Sequence, residues 1–510
     1  MGQMRFIVSP PQCITDDVLQ LSYMAGMERT PWLAQVERDG DELVLERDVA
    51  DSGSVTVPWR VEGHGVLALS TGTLIERWEP YRLPLELARG TINLLRSQLH
   101  DWKGIGLVVP DEVNRLLKES LSKFSQAVTQ AEEDQGVAAQ ESLRLALDGG
   151  QLLAAAYADQ AITSRRRATG RLPALLGGEL AHAGMDEATA RAFHAAFNLA
   201  WVPLYWRDVE ASEGEFDWSD CDRRLEWCRV QGLRTCVGPL VQLDARGLPD
   251  WVYLWDDDFE SMLAAAGQFV EAAVKRYRGK VDLWHCAAKA NTSQALSFSD
   301  EERLRLVAWV VCRVKQLDPE HPHVVGIDQP WGEYVGRRAT DLAPLHFADA
   351  LVRARIDVRA ILLEMNFGCY PGGTLPRSEL DLNRHLDIWG LLGLPLVVGI
   401  SLPSSDAADP KARQKAVTPS GGAPSGSDGA SADTSAATWN LARQQAWAAR
   451  YVPLILAKPG IQGLVWNQFD DAQPHDFPHA GLVGPQGQAK PALRTLASLR
   501  ATLINPRPAQ

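Results

Sequence analysis

The strongest constraint on this chain is an alternation that begins near residue 173. Short apolar runs alternate with long helical patterns eight times: PALLGG at 173, LAWVPL at 199, RTCVGPLV at 234, VDLWHCA at 281, HVVGID at 323, AILLEM at 360, LPLVVGIS at 394 and IQGLVWNQ at 461. Between them, segments such as SMLAAAGQFVEAAVKRY and EERLRLVAWVVCRVKQL repeat apolar residues at helical spacing, the pattern of a helix with one buried face. Eight strand-helix units in about 330 residues match a (β/α)8 TIM barrel, expected over 169–505. In such a barrel the chemistry sits at the carboxyl ends of the strands.

Two shorter regions precede it. Residues 1–82 alternate apolar and polar residues in runs such as MRFIV, ELVLERDV and SVTVPWRV, separated by DGD, DSGS and EGHG turns, and are expected to form a β-sandwich-like module. Its Trp32, Trp59, Trp78 and Tyr81 are candidates either for core packing or for a sugar-binding face. Residues 83–168 then switch to helical period, and are expected to brace that module against the barrel. A Ser, Gly, Ala, Pro and Asp-rich stretch at 403–437 interrupts the seventh unit; it has too little apolar surface to order itself and is expected to be a flexible insertion.

Composition excludes some functions. A net charge of -13 argues against nucleic acid or an anionic membrane as partner, because a phosphate backbone needs a concentrated basic face. The seven cysteines never form a CxxC or zinc-spaced cluster, which favours buried free thiols. No secretion-signal core and no run of 18 apolar residues is present, so a cytoplasmic location is expected. No cofactor is implied, and the oligomeric state is left open.

Within the second and third units, FNLAWVPLYWRDVEASEGEFDW and the residues after it resemble glycoside hydrolase family 10, the xylanase-type barrels. The matching positions are Phe197 and Asn198, Trp206, the ExxxGxF element of Glu210, Gly214 and Phe216, then Asp222, Pro249 and Trp251, and at the end Trp466, Asp470 and the Lys490-Pro491-Ala492 element. The resemblance implies a carbohydrate ligand and retaining hydrolysis by two glutamates, one ending the fourth strand and one on the seventh. Carried over by position, those glutamates fall on Lys289 and on or beside Ile400, and the asparagine before the first falls on Ala288. The chain is therefore expected to be a divergent member that lacks the family's catalytic pair.

Other carboxylates stand at strand ends. Glu364 interrupts a wholly apolar strand, where an unpaired charge is costly, and is followed by Asn366, Tyr370 and two glycines. Asp328 ends the fifth strand with Glu333 close behind, and Asp470 follows the eighth. These four are the candidate catalytic residues. Trp331, Trp466, Gln468, Asn366, Trp206 and Lys289 are the candidate substrate-binding residues, since aromatic faces and amides suit sugar rings and hydroxyls. His475, Asp476 and His479 have only weak metal-ligand spacing, and no metal is expected. The reading is a divergent glycoside hydrolase-like protein that acts on or binds a poly- or oligosaccharide. The alternatives are a non-catalytic carbohydrate-binding or scaffold barrel, and a lyase-like enzyme using Lys289 or a tyrosine as base.

Overall fold

The computed structural model describes residues 2–9, 13–129, 132–182, 184–338, 342–370, 372–416 and 438–504. Residues 417–437 of the expected insertion lie outside the described residues.

The first strands are β1 (Gly2–Ile7), β2 (Tyr23–Ala25), β3 (Pro31–Trp32), β4 (Gln35–Asp39), β5 (Glu42–Arg47), β6 (Ser54–Val61), β7 (Gly65–Ser70) and β8 (Tyr81–Arg82), with one short helix, α1 (Asp16–Leu21), after β1. They form two four-stranded sheets, ordered β4-β5-β1-β8 and β3-β2-β6-β7. The alternating apolar residues of both meet in one core that holds Met4, Phe6, Leu43, Leu45, Val57 and Trp59.

Three helices follow: α2 (Leu83–Gly104), α3 (Asp111–Thr129) and α4 (Glu132–Thr169). They do more than connect. Leu83, Leu87, Leu143 and Leu147 complete the core of the β-module. On the other side Leu95, Leu153 and Ala154 pack with Leu380 and Leu454 of the barrel region. The pair Gly149-Gly150 makes this possible, because an added methyl would lie 3.1 Å from Leu95 at the first position and 3.1 Å from Leu380 at the second.

The remaining strands are β9 (Leu175–Glu179), β10 (Leu199–Val202), β11 (Arg234–Val237), β12 (Val241–Gln242), β13 (Leu283–Ala288), β14 (His323–Asp328), β15 (Ala360–Asn366), β16 (Cys369–Tyr370), β17 (Leu396–Ser401), β18 (Lys415–Ala416) and β19 (Ile461–Trp466). Eight of them, β9, β10, β11, β13, β14, β15, β17 and β19, pair in parallel and close on themselves through β19 and β9. All eight apolar runs identified in the sequence are therefore barrel strands, and the (β/α)8 expectation holds. Helices such as α5 (Glu187–Ala196), α6 (Trp206–Val209), α7 (Ser219–Gln231), α8 (Phe259–Tyr277), α9 (Asp300–Leu317), α10 (Pro344–Arg353), α11 (Glu379–Gly390), α12 (Leu441–Ala457) and α13 (Pro491–Leu499) lie between and after the strands. The short β16-β18 ribbon ties the start of the 403–437 segment to the loop after β15. No helix among the described residues is long and apolar enough to cross a membrane.

Side chains alternate along each strand, so every second residue faces the barrel axis. Leu199, Trp201, Cys236, Val324, Leu362, Val397 and Val465 meet there as one apolar layer. Two residues further along the strands stand Gly238, His285, Gly326, Glu364, Gly399 and Asn467. Three of these six are glycines, and neighbours use the space that their side chains would take: His285 beside Gly238 and Gly326, and Asn467 beside Gly399.

Candidate active site

At the carboxyl end of the barrel lies a cavity of about 330 Å³ whose floor includes Trp201, His285, Leu362, Glu364 and Val465. Its walls carry Glu179, Tyr205, Gln242, Lys289, Asn467, Gln468 and Asp470. Ligand pockets of this class span about 300–1,000 Å³, so the space suits a small ligand or the end of a larger one.

Two carboxyl groups dominate its chemistry. Glu364 reaches the cavity from β15 and Glu179 from the end of β9. Among the described residues neither has an ion-pair or hydrogen-bond partner. Burial, and then the charge of Asp328, push the Glu364 carboxyl up to about 8. Burial, and then Asp476, do the same for Glu179, also to about 8. Both are carboxylic acids at neutral pH, each carrying a proton it can give up.

Beside Glu364 sits the His285 imidazole. It is 2% exposed, and neither ring nitrogen has a hydrogen-bond partner. Burial drives it down to about 3, so the ring is neutral. Its edge meets Trp201 at a centroid distance of 5.2 Å. A methyl at Gly326 would fall 2.8 Å from His285 Nε2 and 3.0 Å from Glu364 Oε1; the absence of a side chain there is what leaves room for both.

Each cation around the cavity is matched. Lys289 follows β13 in a left-handed conformation, φ 56°, which is rare for a side-chain-bearing residue and typical of sites where surrounding structure holds the backbone. Its Nζ lies 2.7 Å from Asp244 and 3.8 Å from Asp476. Burial works against that charge, but Asp476 and Asp244 outweigh it and hold the ammonium well above its ordinary range. Arg246 pairs with Asp208 at 2.6 Å and lies over the Tyr205 ring at 3.9 Å. Arg224 pairs with Asp220 and Arg413 with Asp476. His182 lies 2.9 Å from Asp470; that contact raises the imidazole and, against burial, holds the Asp470 carboxyl below its usual range.

The structure sorts the residues chosen from the sequence. Glu364, Lys289, Gln468 and Asp470 line the cavity. Asp328 stands beside Glu364 in register, but its carboxylate accepts from Thr292 Oγ1 and from Gln329 within the loop after β14 and lies outside the lining. Glu333 is elsewhere: it pairs with Arg377 and lines a separate pocket against Tyr23 of the β-module. Asn366 accepts from Ser401 Oγ and Asn467 Nδ2 beneath the rim.

The three tryptophans chosen for stacking are packing residues. Trp206 is 1% exposed and donates to Glu210, Trp466 is fully buried and donates to the Ala480 carbonyl, and Trp331 stacks on His385 at 4.1 Å. An indole near a strand end satisfies the core and the cavity equally well in sequence, and here the core took all three. Trp59 is likewise core, Trp32 lies under Arg47 at 3.6 Å, Tyr81 is buried under Arg77, and Trp78 alone of the four is open to solvent. His475 and His479 converge on Asp409, which pins the segment after β17 to the loop after β19. No metal-binding cluster exists among the described residues.

Several lining groups escaped the sequence reading, Glu179, Tyr205, Trp201 and His285 among them. For Glu179 a signal existed, since it is a charge closing an apolar run, as Glu364 is. It stands one residue past PALLGG, the run that marks the first strand in the sequence.

Of the residues that carried the family resemblance, Asp470 lines the cavity, and Asn198, Trp206, Glu210, Gly214, Trp251, Trp466 and Lys490 are scaffold. Glu210 accepts from Trp206 Nε1 at 2.6 Å and from the Gly214 amide at 2.7 Å, which closes the ExxxGxF loop on itself. Trp251 donates to the Glu210 carbonyl, and Asn198 holds Leu176 and Ala174 of the first strand. Lys490 is buried against Asp471 at 2.6 Å. At the two positions where the resemblance implies catalytic glutamates, Lys289 is ion-paired and Ile400 is buried between the barrel and its helices. The scaffold is retained without that pair.

No family model matches the chain, and no curated protein matches it. Solved structures do. A xylanase 10B of Thermotoga petrophila in complex with xylobiose is 13% identical over 65% of this chain and 95% of that one, with a TM-score of 0.48. The native xylanase 10B of Thermotoga maritima is 13% identical over 67% and 99%, TM-score 0.48. An endoxylanase of glycoside hydrolase family 10 from a sugarcane soil metagenome is 14% identical over 66% and 99%, TM-score 0.47. At such identity the reaction has to be read from the side chains. The chain is similar to xylanases of glycoside hydrolase family 10, at low identity and without the glutamate pair which that resemblance implies.

Proposed function

We propose that this chain is a glycoside hydrolase-like protein that takes a poly- or oligosaccharide at the mouth of its barrel, with Glu364 as the proton donor. The observation that carries the reading is the unpartnered Glu364 carboxyl near the end of an apolar strand, facing a cavity lined by indole, phenol and amide groups, where burial pushes it up to about 8. Cleavage of a glycosidic bond needs an acid that protonates the leaving oxygen and a second carboxylate that attacks or activates water. Asp470, held ionised by His182 and lining the same cavity, supplies a carboxylate of the second kind. In this assignment Glu364 donates its proton to the departing oxygen while Asp470 takes one from the incoming water. Burial raises the Glu364 carboxyl most, and the charge of Asp328, in register with it, adds to the shift.

A second reading is favoured by one specific observation. The fourth and seventh strand ends offer Lys289, Gly399 and Ser401, and no carboxylate, which fits a barrel that binds saccharide without cleaving it. A polysaccharide panel assayed with the parent protein, Glu364→Gln, Asp470→Asn and Asp328→Asn separates the two. Turnover abolished by the Glu364 and Asp470 changes is the expected result. Binding without turnover in the parent selects the second reading, and turnover untouched by either substitution rejects the assignment.

A further inference from the structure

Among the described residues, every cation around the cavity has a carboxylate partner, whereas two carboxyls, Glu364 and Glu179, have none. Arg224, Arg246, Lys289, Arg413 and His182 each face an aspartate partner. Glu179 faces none. It ends β9 beside Trp201 of the neighbouring strand; burial and the charge of Asp476 raise it, the more distant Arg246 and Arg224 pull the other way, and Asp470 adds a smaller push upward. A carboxyl that no cation of the protein pairs gains from a ligand that brings positive charge.

A second observation points to a ligand in the same space. His285, 2% exposed and lining the floor, leaves both ring nitrogens without partners. Buried polar groups are normally satisfied, so its donor and acceptor are available to hydroxyls of a bound molecule. A neutral imidazole cannot supply the missing positive charge.

We infer that the saccharide bound here carries a protonated amine, and that Glu179 is the group that recognises it. The inference rests on the carbohydrate reading above. An amino sugar offers ring hydroxyls to His285, Asn467 and Gln468, an apolar face to Trp201 or Tyr205, and an ammonium to Glu179. Pairing turns Glu179 into a carboxylate, and its proton leaves to solvent. Glu364 keeps its own proton for the leaving oxygen. The two half-buried acids thus have different tasks, one in selection and one in proton transfer.

The test is calorimetric titration of the full chain with a β-linked glucosamine tetramer, its N-acetylated counterpart and a xylo-oligosaccharide of equal length. At about pH 6 the amine is charged. The expected result is that the glucosamine tetramer binds about tenfold tighter than either neutral oligomer, with release of about one proton seen as a buffer-dependent enthalpy. Glu179→Gln removes that preference, Glu179→Asp restores most of it, and Glu364→Gln retains it. Thermal melting of each variant reports folding separately. Neutral oligomers that bind as tightly as the amine-bearing one overturn the inference and leave the carbohydrate reading standing. Absence of binding by all three overturns both.

Discussion

Replacing Glu364 by glutamine should stabilise this protein, and by an amount that grows with pH. In the unfolded chain the carboxyl titrates near its ordinary value of 4.5, and in the folded chain near 8. Between those values the folded state holds a proton that the unfolded state has lost, so stability falls as pH rises. Each tenfold in the ionisation equilibrium corresponds to about 1.4 kcal/mol, which caps the cost of an ionised Glu364 at about 5 kcal/mol above pH 8. Relaxation around the ionised group and entry of water reduce this, and a difference of about 2–4 kcal/mol is expected at alkaline pH. Glutamine keeps the shape and never ionises. The assay is urea unfolding of parent and Glu364→Gln at a series of pH values from about 5 to 9. The difference in midpoint should be small at the acid end and widen steadily through the neutral range. A difference that stays flat with pH refutes the reasoning, because it would mean that Glu364 ionises normally in the folded protein.

Other outcomes follow from the same geometry. Lys289→Met leaves Asp244 and Asp476 facing one another without their shared cation, and should cost about 3 kcal/mol in thermal or urea unfolding; adding Asp244→Asn should recover a substantial part. Gly326→Ala drives a methyl to 2.8 Å from His285 Nε2 and 3.0 Å from Glu364 Oε1, so it should cost about 1–3 kcal/mol and weaken saccharide binding in titration calorimetry. All seven cysteines are free, and every one except Cys312 is buried. A thiol reagent should therefore modify the native protein slowly and reach all seven only after denaturant is added.

Much of the barrel was legible because its signals are local. A strand records burial on both faces as a continuous apolar run, a helix records one buried face at period 3.6, and each can be counted without knowing what lies opposite. The N-terminal alternation was legible for the same reason. The three helices after it were harder to interpret, since only the folded chain shows α2 and α4 filling both the β-module core and the gap to α11 and α12.

Glu364 was found by a local rule as well, the cost of an unpaired charge in an apolar strand. Glu333 obeyed a similar positional rule and went to Arg377 instead, because which side of a strand-end loop a residue takes depends on the neighbours the loop meets. Trp206, Trp331 and Trp466 misled for a related reason: a large apolar side chain gains more from close packing than from lining a wet cavity.

The sequence by itself determined the number, order and type of the barrel elements, and the loss of the glutamate pair that the resemblance implies, because each is a property of a few adjacent positions. Only tertiary structure decided which acids share a cavity. Glu179 and Glu364 belong to strands far apart in the chain, and closure of β19 onto β9 brings both to one mouth. Their raised proton affinity comes from burial and from carboxylates on other strands and loops. That environment exists only once the barrel has closed.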